Sequence, residues 1–170
     1  MRRTATTDLT WIVLSVGLSL NGCHRTHREE SLESSPQREQ IALLRVAYDA
    51  FNRGDIDAAV ESLAPDIEWS EPAEFPGGGT YHGREGAKSY LSQSRAAWAE
   101  VTSEPEQFIA AGNRIVVFVD ARLRPLNSKE WQEVPLADVY TFSNGKVIQM
   151  RACADRGQAL RWANAGGANH

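Results

Sequence analysis

Residues 131–154 read WQEVPLADVYTFSNGKVIQMRACA. Two extended segments, Trp131–Phe142 and Lys146–Ala154, flank Asn144-Gly145. That dipeptide favours the two-residue turn of a β-hairpin, because both positions tolerate positive φ. Within the first segment, Leu136–Phe142 is apolar except for Asp138 and Thr141. A carboxylate on an apolar strand face costs free energy unless it is paired, hydrogen-bonded or protonated. Two registers are open. A three-residue loop, Ser143–Gly145, sets Phe142 opposite Lys146 and Asp138 opposite Met150, with Tyr140, Phe142 and Ile148 on the face of Asp138. A two-residue loop sets Asp138 opposite Arg151, as a cross-strand ion pair. The first keeps the apolar residues together and is favoured on that ground.

Outward from the hairpin, Arg114–Pro125 alternates over a long run, and Glu106–Ala111 precedes it across a turn at Gly112-Asn113. After the hairpin, Asp155–Asn164 carries Ala159, Leu160 and Trp162 and reads as a short helix, with residues 165–170 a frayed tail. Upstream, Ile41, Leu44, Ala47, Tyr48 and Phe51 recur at helical spacing over Arg38–Arg53. Gly54 stops that helix, and Asp55 caps a second one over Ile56–Leu63, which Pro65 ends. Ile67 and Trp69 alternate with Glu68 and Ser70 as a short strand that ends at Glu71, just before Pro72. Glu71–Gly83 reads as a loop whose run Gly77-Gly78-Gly79 lacks the Lys-Ser/Thr of a phosphate-binding loop, so it is read as a flexible rim. Arg84–Glu100 is predicted to be a helix with Ala87, Leu91, Ser94 and Trp98 on one stripe. Helices followed by a run of strands indicate an α+β domain. A curved antiparallel sheet wrapped around the helices leaves a cone-shaped pocket. Glu71 and Asp138, carboxylates from distant parts of one small domain, suggest acid/base chemistry in it.

The chain has 170 residues and a formal net charge of −4, with 42% hydrophobic and 24% charged residues. One domain with a sizeable core fits this length. The charge, and the lack of basic runs interleaved with aromatics, argue against nucleic-acid binding. Arg2 and Arg3 precede an apolar stretch, Leu9–Leu20, that is short for a membrane span and reads as an export signal. It ends in Leu20-Asn21-Gly22-Cys23, which resembles a bacterial lipobox, with Asn21 where a small residue is usual. The resemblance implies a signal peptide at 1–22, lipidation of Cys23, and an exported, membrane-anchored lipoprotein on the periplasmic or cell-surface side. Residues 23–37 are charged and polar, a disordered tether for the domain at 38–164. His24 and His27 have no third ligand nearby, and no metal site is expected. The second of the two cysteines, Cys153, is read as a buried small hydrophobe.

Several local patterns resemble the nuclear-transport-factor-2-like (NTF2-like) superfamily, in its SnoaL-like and ketosteroid isomerase-like branch. They are Tyr48, Phe51, Asn52, Gly54 and Asp55; Asp66, Ile67, Glu68 and Trp69; His82, Gly83, Arg84 and Glu85; Asn144–Val147; and Asp155, Arg156, Ala159 and Leu160. The resemblance spans Glu39–Ala163 and implies the cone-shaped fold. It also implies that Glu71, before Pro72, stands at the place of the general base, and that Asp138 stands at the place of a protonated oxyanion-hole aspartate. Tyr48 lies near the place of the family's helix tyrosine but one residue closer to Gly54, a rotation of about 100° on a helix. Trp69, Trp98, Phe118, Tyr140 and Met150 are the expected pocket walls.

Two functions follow from the resemblance. One is a module that binds a small hydrophobic molecule without chemistry. The other is an isomerase or cyclase that moves a proton α to a carbonyl. Neither needs a cofactor. The expected partners are the small molecule, the membrane through the lipid, and a second copy in a homodimer through the outer face of the sheet. Phe118, Asp120 and Arg122 share one strand face. Asp120 and Arg122 resemble the Arg/Asp group of limonene epoxide hydrolases in reverse order, with Ala152 where a second aspartate would stand. Tyr81 and His82 are placed near the pocket mouth.

Overall fold

The computed structural model describes residues 35–165. The predicted signal peptide, the lipobox with Cys23, most of the tether and the tail lie outside the described residues.

Helix α1 spans Pro36–Arg53. It starts two residues before the expected boundary because Ser35 caps it, accepting from the Arg38 N–H at 3.4 Å, and Pro36 suits a first helical turn. Gly54, at φ 80°, closes it, returning its N–H to the carbonyls of Ala50 and Phe51. Asp55 caps α2, Ile56–Ala59, by accepting from the Ala58 N–H at 3.1 Å. This helix is shorter than expected. From Leu63 the chain runs as strand β1, Leu63–Glu71, which tolerates Pro65 at an irregularity in its pairing between Leu63 and Glu68. The expected rim contains a short edge strand, β2, Gly79–His82, antiparallel to β1.

Helix α3, Gly83–Ala96, ends earlier than expected. Trp98 does not continue it but opens strand β3, Trp98–Ala111, opposite Pro125. Three further strands follow: β4, Arg114–Pro125; β5, Gln132–Ser143; and β6, Lys146–Cys153. Helix α4, Arg156–Ala165, closes the described chain. The six strands form one sheet in the order β2-β1-β6-β5-β4-β3, antiparallel throughout except for the parallel β1–β6 pair.

The β5–β6 register matches neither alternative read from the sequence. Asn144 (φ 49°) and Gly145 (φ 73°) make a two-residue turn with Ser143 opposite Lys146. A bulge then inserts Ile148, so that Tyr140 opposes Met150 and Asp138 opposes Ala152, not Met150 or Arg151. The extra residue lets Val147 and Met150 both point inward and turns Ile148 outward, so Ile148 does not share the face of Asp138.

The sheet buries both faces. Ile115, Val117 and Val119 of β4 join Leu44, Ile67 and Met150 in the core beneath α1 and α3. On the other face, Val116, Ala137, Val139 and the free, buried Cys153 pack against Ala159 and Ala163 of α4. Each fully buried side chain of this size is worth roughly 1.5–3 kcal/mol, so the alternation along β4 fixes which face looks into the site.

Candidate functional site

Between α1, α3 and the inner face of the sheet lies a cavity of about 350 Å³. Its walls are mostly apolar, and its carboxyl, phenol and indole groups come from four elements. Asp138 sits midway along β5 and Tyr140 two residues later on the same face. Glu71 is the last residue of β1, Trp69 precedes it on that face, Tyr48 comes from α1 and Tyr90 from α3. Ser62, buried with no hydrogen-bond partner for its hydroxyl among the described residues, lines the same cavity.

The polar groups form two linked sets. The Tyr48 hydroxyl donates to Asp138 Oδ2 at 2.6 Å, and the Tyr140 hydroxyl donates to the Tyr48 oxygen at 3.1 Å. The two rings meet edge to face, with centroids 6.3 Å apart. Thus Tyr48 reaches Asp138 even though it stands one residue from the place the resemblance implied. In the second set, the Trp69 indole Nε1–H donates to Glu71 Oε1 at 2.7 Å. The Trp69 ring tilts against Tyr90 at 6.3 Å, and Tyr90 packs on Tyr81 at 4.9 Å.

Burial dominates the electrostatics. It pushes Asp138 up to about 6, against the pull of the Tyr48 hydroxyl with the Tyr140 hydroxyl behind it. Glu71 is pushed further, to about 8, by burial and then by the Asp138 charge, with the Trp69 and Tyr90 hydrogen bonds opposing. Burial first, and then neighbouring carboxylates, raise the phenols of Tyr48, Tyr90 and Tyr140. Both carboxyls are therefore held toward the protonated form relative to a solvated carboxylate. Two phenols in series stabilise charge on Asp138, whereas Glu71 has the Asp138 charge as a neighbour.

The cavity brings together Glu71, Asp138, Tyr48, Trp69, Trp98, Tyr140 and Met150. Phe118 is the exception. It lies on the opposite face of β4, under the Arg156 guanidinium, 4.8 Å from its ring centroid. Alternation placed Phe118, Asp120 and Arg122 together, but that set faces away from the cavity. There Asp120 accepts from Arg156 at 3.1 Å, so it has no part in the site. Tyr81 donates from its hydroxyl to the Gly77 carbonyl at 2.5 Å, and His82 precedes α3 without a side-chain capping bond. Sequence reading missed Tyr90, Phe75 and Pro76 among the lining residues. Tyr90 sits four residues before Ser94 on the stripe already recognised on α3, which is the signal that would have found it. Among the described residues, no group of three His, Cys, Asp or Glu side chains is placed to hold a metal ion.

A family model described as a SnoaL-like domain matches residues 44–150. No curated protein matches the chain. Among solved structures, an NTF2-like protein of unknown function from Burkholderia pseudomallei K96243 is 28% identical, over 72% of this chain and 95% of its own, with a TM-score of 0.63. TerC, co-crystallised with polyporic acid, is 25% identical over 76% and 98%, with a TM-score of 0.63. A putative polyketide cyclase from Xanthomonas campestris pv. campestris shares the fold at 18% identity over 76% and 99%, with a TM-score of 0.61. The family match spans most of the domain and contains Tyr48, Glu71 and Asp138, and on that basis the chain belongs to the SnoaL-like domain family, with the NTF2-like fold.

Proposed function

We propose that this domain binds a small hydrophobic molecule in the cavity, with the polar group of the ligand turned to Glu71 and Asp138. One observation carries the reading: an apolar cavity of about 350 Å³ in which the polar side chains converge. That is the usual composition of a small-molecule site. TerC, a protein of this fold crystallised with a small molecule, supports it. The test uses Ala97, which is exposed and lines the cavity. Ala97→Trp should block entry without disturbing the core. Calorimetric titration with a neutral bicyclic alcohol should show binding to the unmodified protein and at least a tenfold loss in the variant. Equal binding by both would place the ligand elsewhere.

A second reading is favoured by the two carboxylates with raised pKa values in one cavity. In this reading the domain transfers a proton α to a carbonyl, as an isomerase or cyclase, with Tyr48 among the catalytic groups. The electrostatics suit Asp138 as the base and Glu71 as the acid that protonates the enolate oxygen. Turnover would then follow a bell between about pH 6 and 8, and Asp138→Asn would abolish it. An enone substrate turned over equally well by Asp138→Asn would exclude this chemistry.

The reading also includes export. Cleavage before Cys23 and lipidation of its thiol would hold the domain at a membrane surface. Cys23→Ser should shift the protein from the membrane to the soluble fraction. An unchanged membrane fraction would reject the anchor. Homodimerisation would have to use the outer sheet surface that α4 leaves open, near exposed Trp131 and Leu126. A monomer at micromolar concentration in sedimentation would reject it.

A further inference from the structure

Among the described residues lining the cavity there are two carboxylates, Glu71 and Asp138, and no lysine, arginine or histidine. The nearby arginines are engaged elsewhere. Arg95 donates to the carbonyls of Phe51 and Asn52, at 2.8 and 3.2 Å. Arg84 donates to the Leu63 carbonyl, and Arg45 stacks on Phe108. A buried carboxylate normally has a cation against it, because desolvation otherwise goes uncompensated. Among the described residues, Asp138 is held by the Tyr48 hydroxyl with Tyr140 behind it. The aromatic rings of Tyr48, Trp69, Tyr90 and Tyr140 also line the cavity. Ring faces attract cations, more strongly where water is excluded.

From the carboxylate pair, the aromatic walls and the lack of a lining cation, we infer that the cavity selects lipophilic amines, bound as the ammonium ion. The nitrogen takes the end formed by Glu71 and Asp138, and the hydrocarbon lies along Leu44, Leu91 and Val101. Anionic molecules of the same size are rejected, since they meet like charge and no counter-ion. This rests on the reading that the cavity holds a small hydrophobic molecule, and it names the class.

The pH dependence agrees. The groups facing the carboxylates are the phenols of Tyr48 on α1, Tyr90 on α3 and Tyr140 on β5, together with the Trp69 indole on β1. The Cys153 thiol on β6 lies near Asp138 and is itself raised by burial. The phenols stay neutral through the range in which Asp138 (about 6) and Glu71 (about 8) ionise. The cavity therefore becomes more negative from pH 5 to pH 9. Affinity for a permanent cation should rise across that interval.

Calorimetric titration of the full chain with three probes tests this: (2-naphthylmethyl)trimethylammonium, 2-naphthalenemethanol and 2-naphthylacetate. The expected result is a cation bound at least tenfold tighter than the alcohol at pH 7.5, tighter still at pH 9, with no detectable binding of the anion. The alcohol should bind independently of pH. Glu71→Gln and Asp138→Asn should each cut the cation's advantage over the alcohol severalfold. Circular dichroism and urea unfolding of each variant show that it is folded. An alcohol or anion that binds as tightly as the cation overturns the amine inference and leaves the cavity-binding reading standing. So does a cation affinity unmoved by pH and by both substitutions. Failure of all three probes to bind overturns both.

Discussion

Asp138 would be a liability in most strands of this kind, and its surroundings show what offsets it. Tyr48 donates at 2.6 Å and Tyr140 supports Tyr48 at 3.1 Å. A hydrogen bond to a charged group is worth about 1.5–3 kcal/mol, comparable to one or two pKa units. Tyr48→Phe keeps the ring and removes the donor, so the Asp138 pKa should climb by about one unit. Carboxyl-carbon NMR titration of Asp138 reads this directly, and a value unmoved by the substitution would mean that burial alone sets it. Both carboxylates were legible in the sequence because each breaks a local pattern: Asp138 an apolar run, Glu71 the junction of a strand with Pro72. Tyr90 breaks none, since a tyrosine on an amphipathic helix is ordinary. Phe118 was misplaced for a different reason. Alternation separates the two faces of a strand, but it does not say which face the helices cover when both are apolar.

At the scale of elements, one side chain ties the last turn of α3 to the last turn of α1. Arg95, in the last turn of α3, donates to the carbonyls of Phe51 and Asn52 at 2.8 and 3.2 Å. These carbonyls belong to the last turn of α1, where helical partners run out, and that of Phe51 also accepts from the Gly54 N–H at 2.9 Å. The guanidinium also lies against Gly54, where an added Cβ would come within 3.1 Å of Nε. Arg95→Ala should lower unfolding stability by about 1 kcal/mol, because two half-buried carbonyls lose a charged donor. Arg95→Lys should recover only part, since one ammonium cannot span two carbonyls as a fork does. Urea unfolding of the two variants checks the ranking, and an Arg95→Ala midpoint equal to wild type would remove this contact from the account. The elements themselves were read well where periodicity is strong, as in Arg114–Pro125. They were read poorly where pairing with distant strands overrides local pattern. Residues 98–100 extend the predicted helix on local grounds, yet they open β3 and lie against β4. Ile56–Leu63 begins as a helix, but Leu63 already opposes Val147 of β6. The bulge at Ile148 has no local signature either, because it is set by the need to bury both Val147 and Met150.

For the molecule as a whole, the cavity makes stability depend on pH in a direction opposite to that of most ion-paired carboxylates. Glu71 and Asp138 have ordinary values of 4.5 and 3.8 and folded values of about 8 and about 6. The folded protein therefore holds more protons than the unfolded chain between about pH 4 and pH 8. Stability falls wherever the folded state binds the excess protons and the pH rises. The contribution of this pair is complete below about pH 4 and is lost through about pH 6 for Asp138 and about pH 8 for Glu71. At about 1.4 kcal/mol per pKa unit, the decline amounts to several kcal/mol on an order-of-magnitude scale. Glu71→Gln keeps an acceptor for the Trp69 indole and removes the charge, so the variant should be more stable than wild type at pH 9, by on the order of 2–4 kcal/mol. The gap should close at pH 4.5, where Glu71 is neutral in the folded wild type. Urea midpoints at pH 4.5, 7 and 9 for wild type and variant measure both statements. A wild-type stability that stays level or rises from pH 5 to pH 9 would mean that the two carboxylates are solvated and that the cavity is not the low-dielectric chamber its walls describe. A decline that a bound quaternary ammonium cancels at pH 9 would tie the same two charges to the ligand.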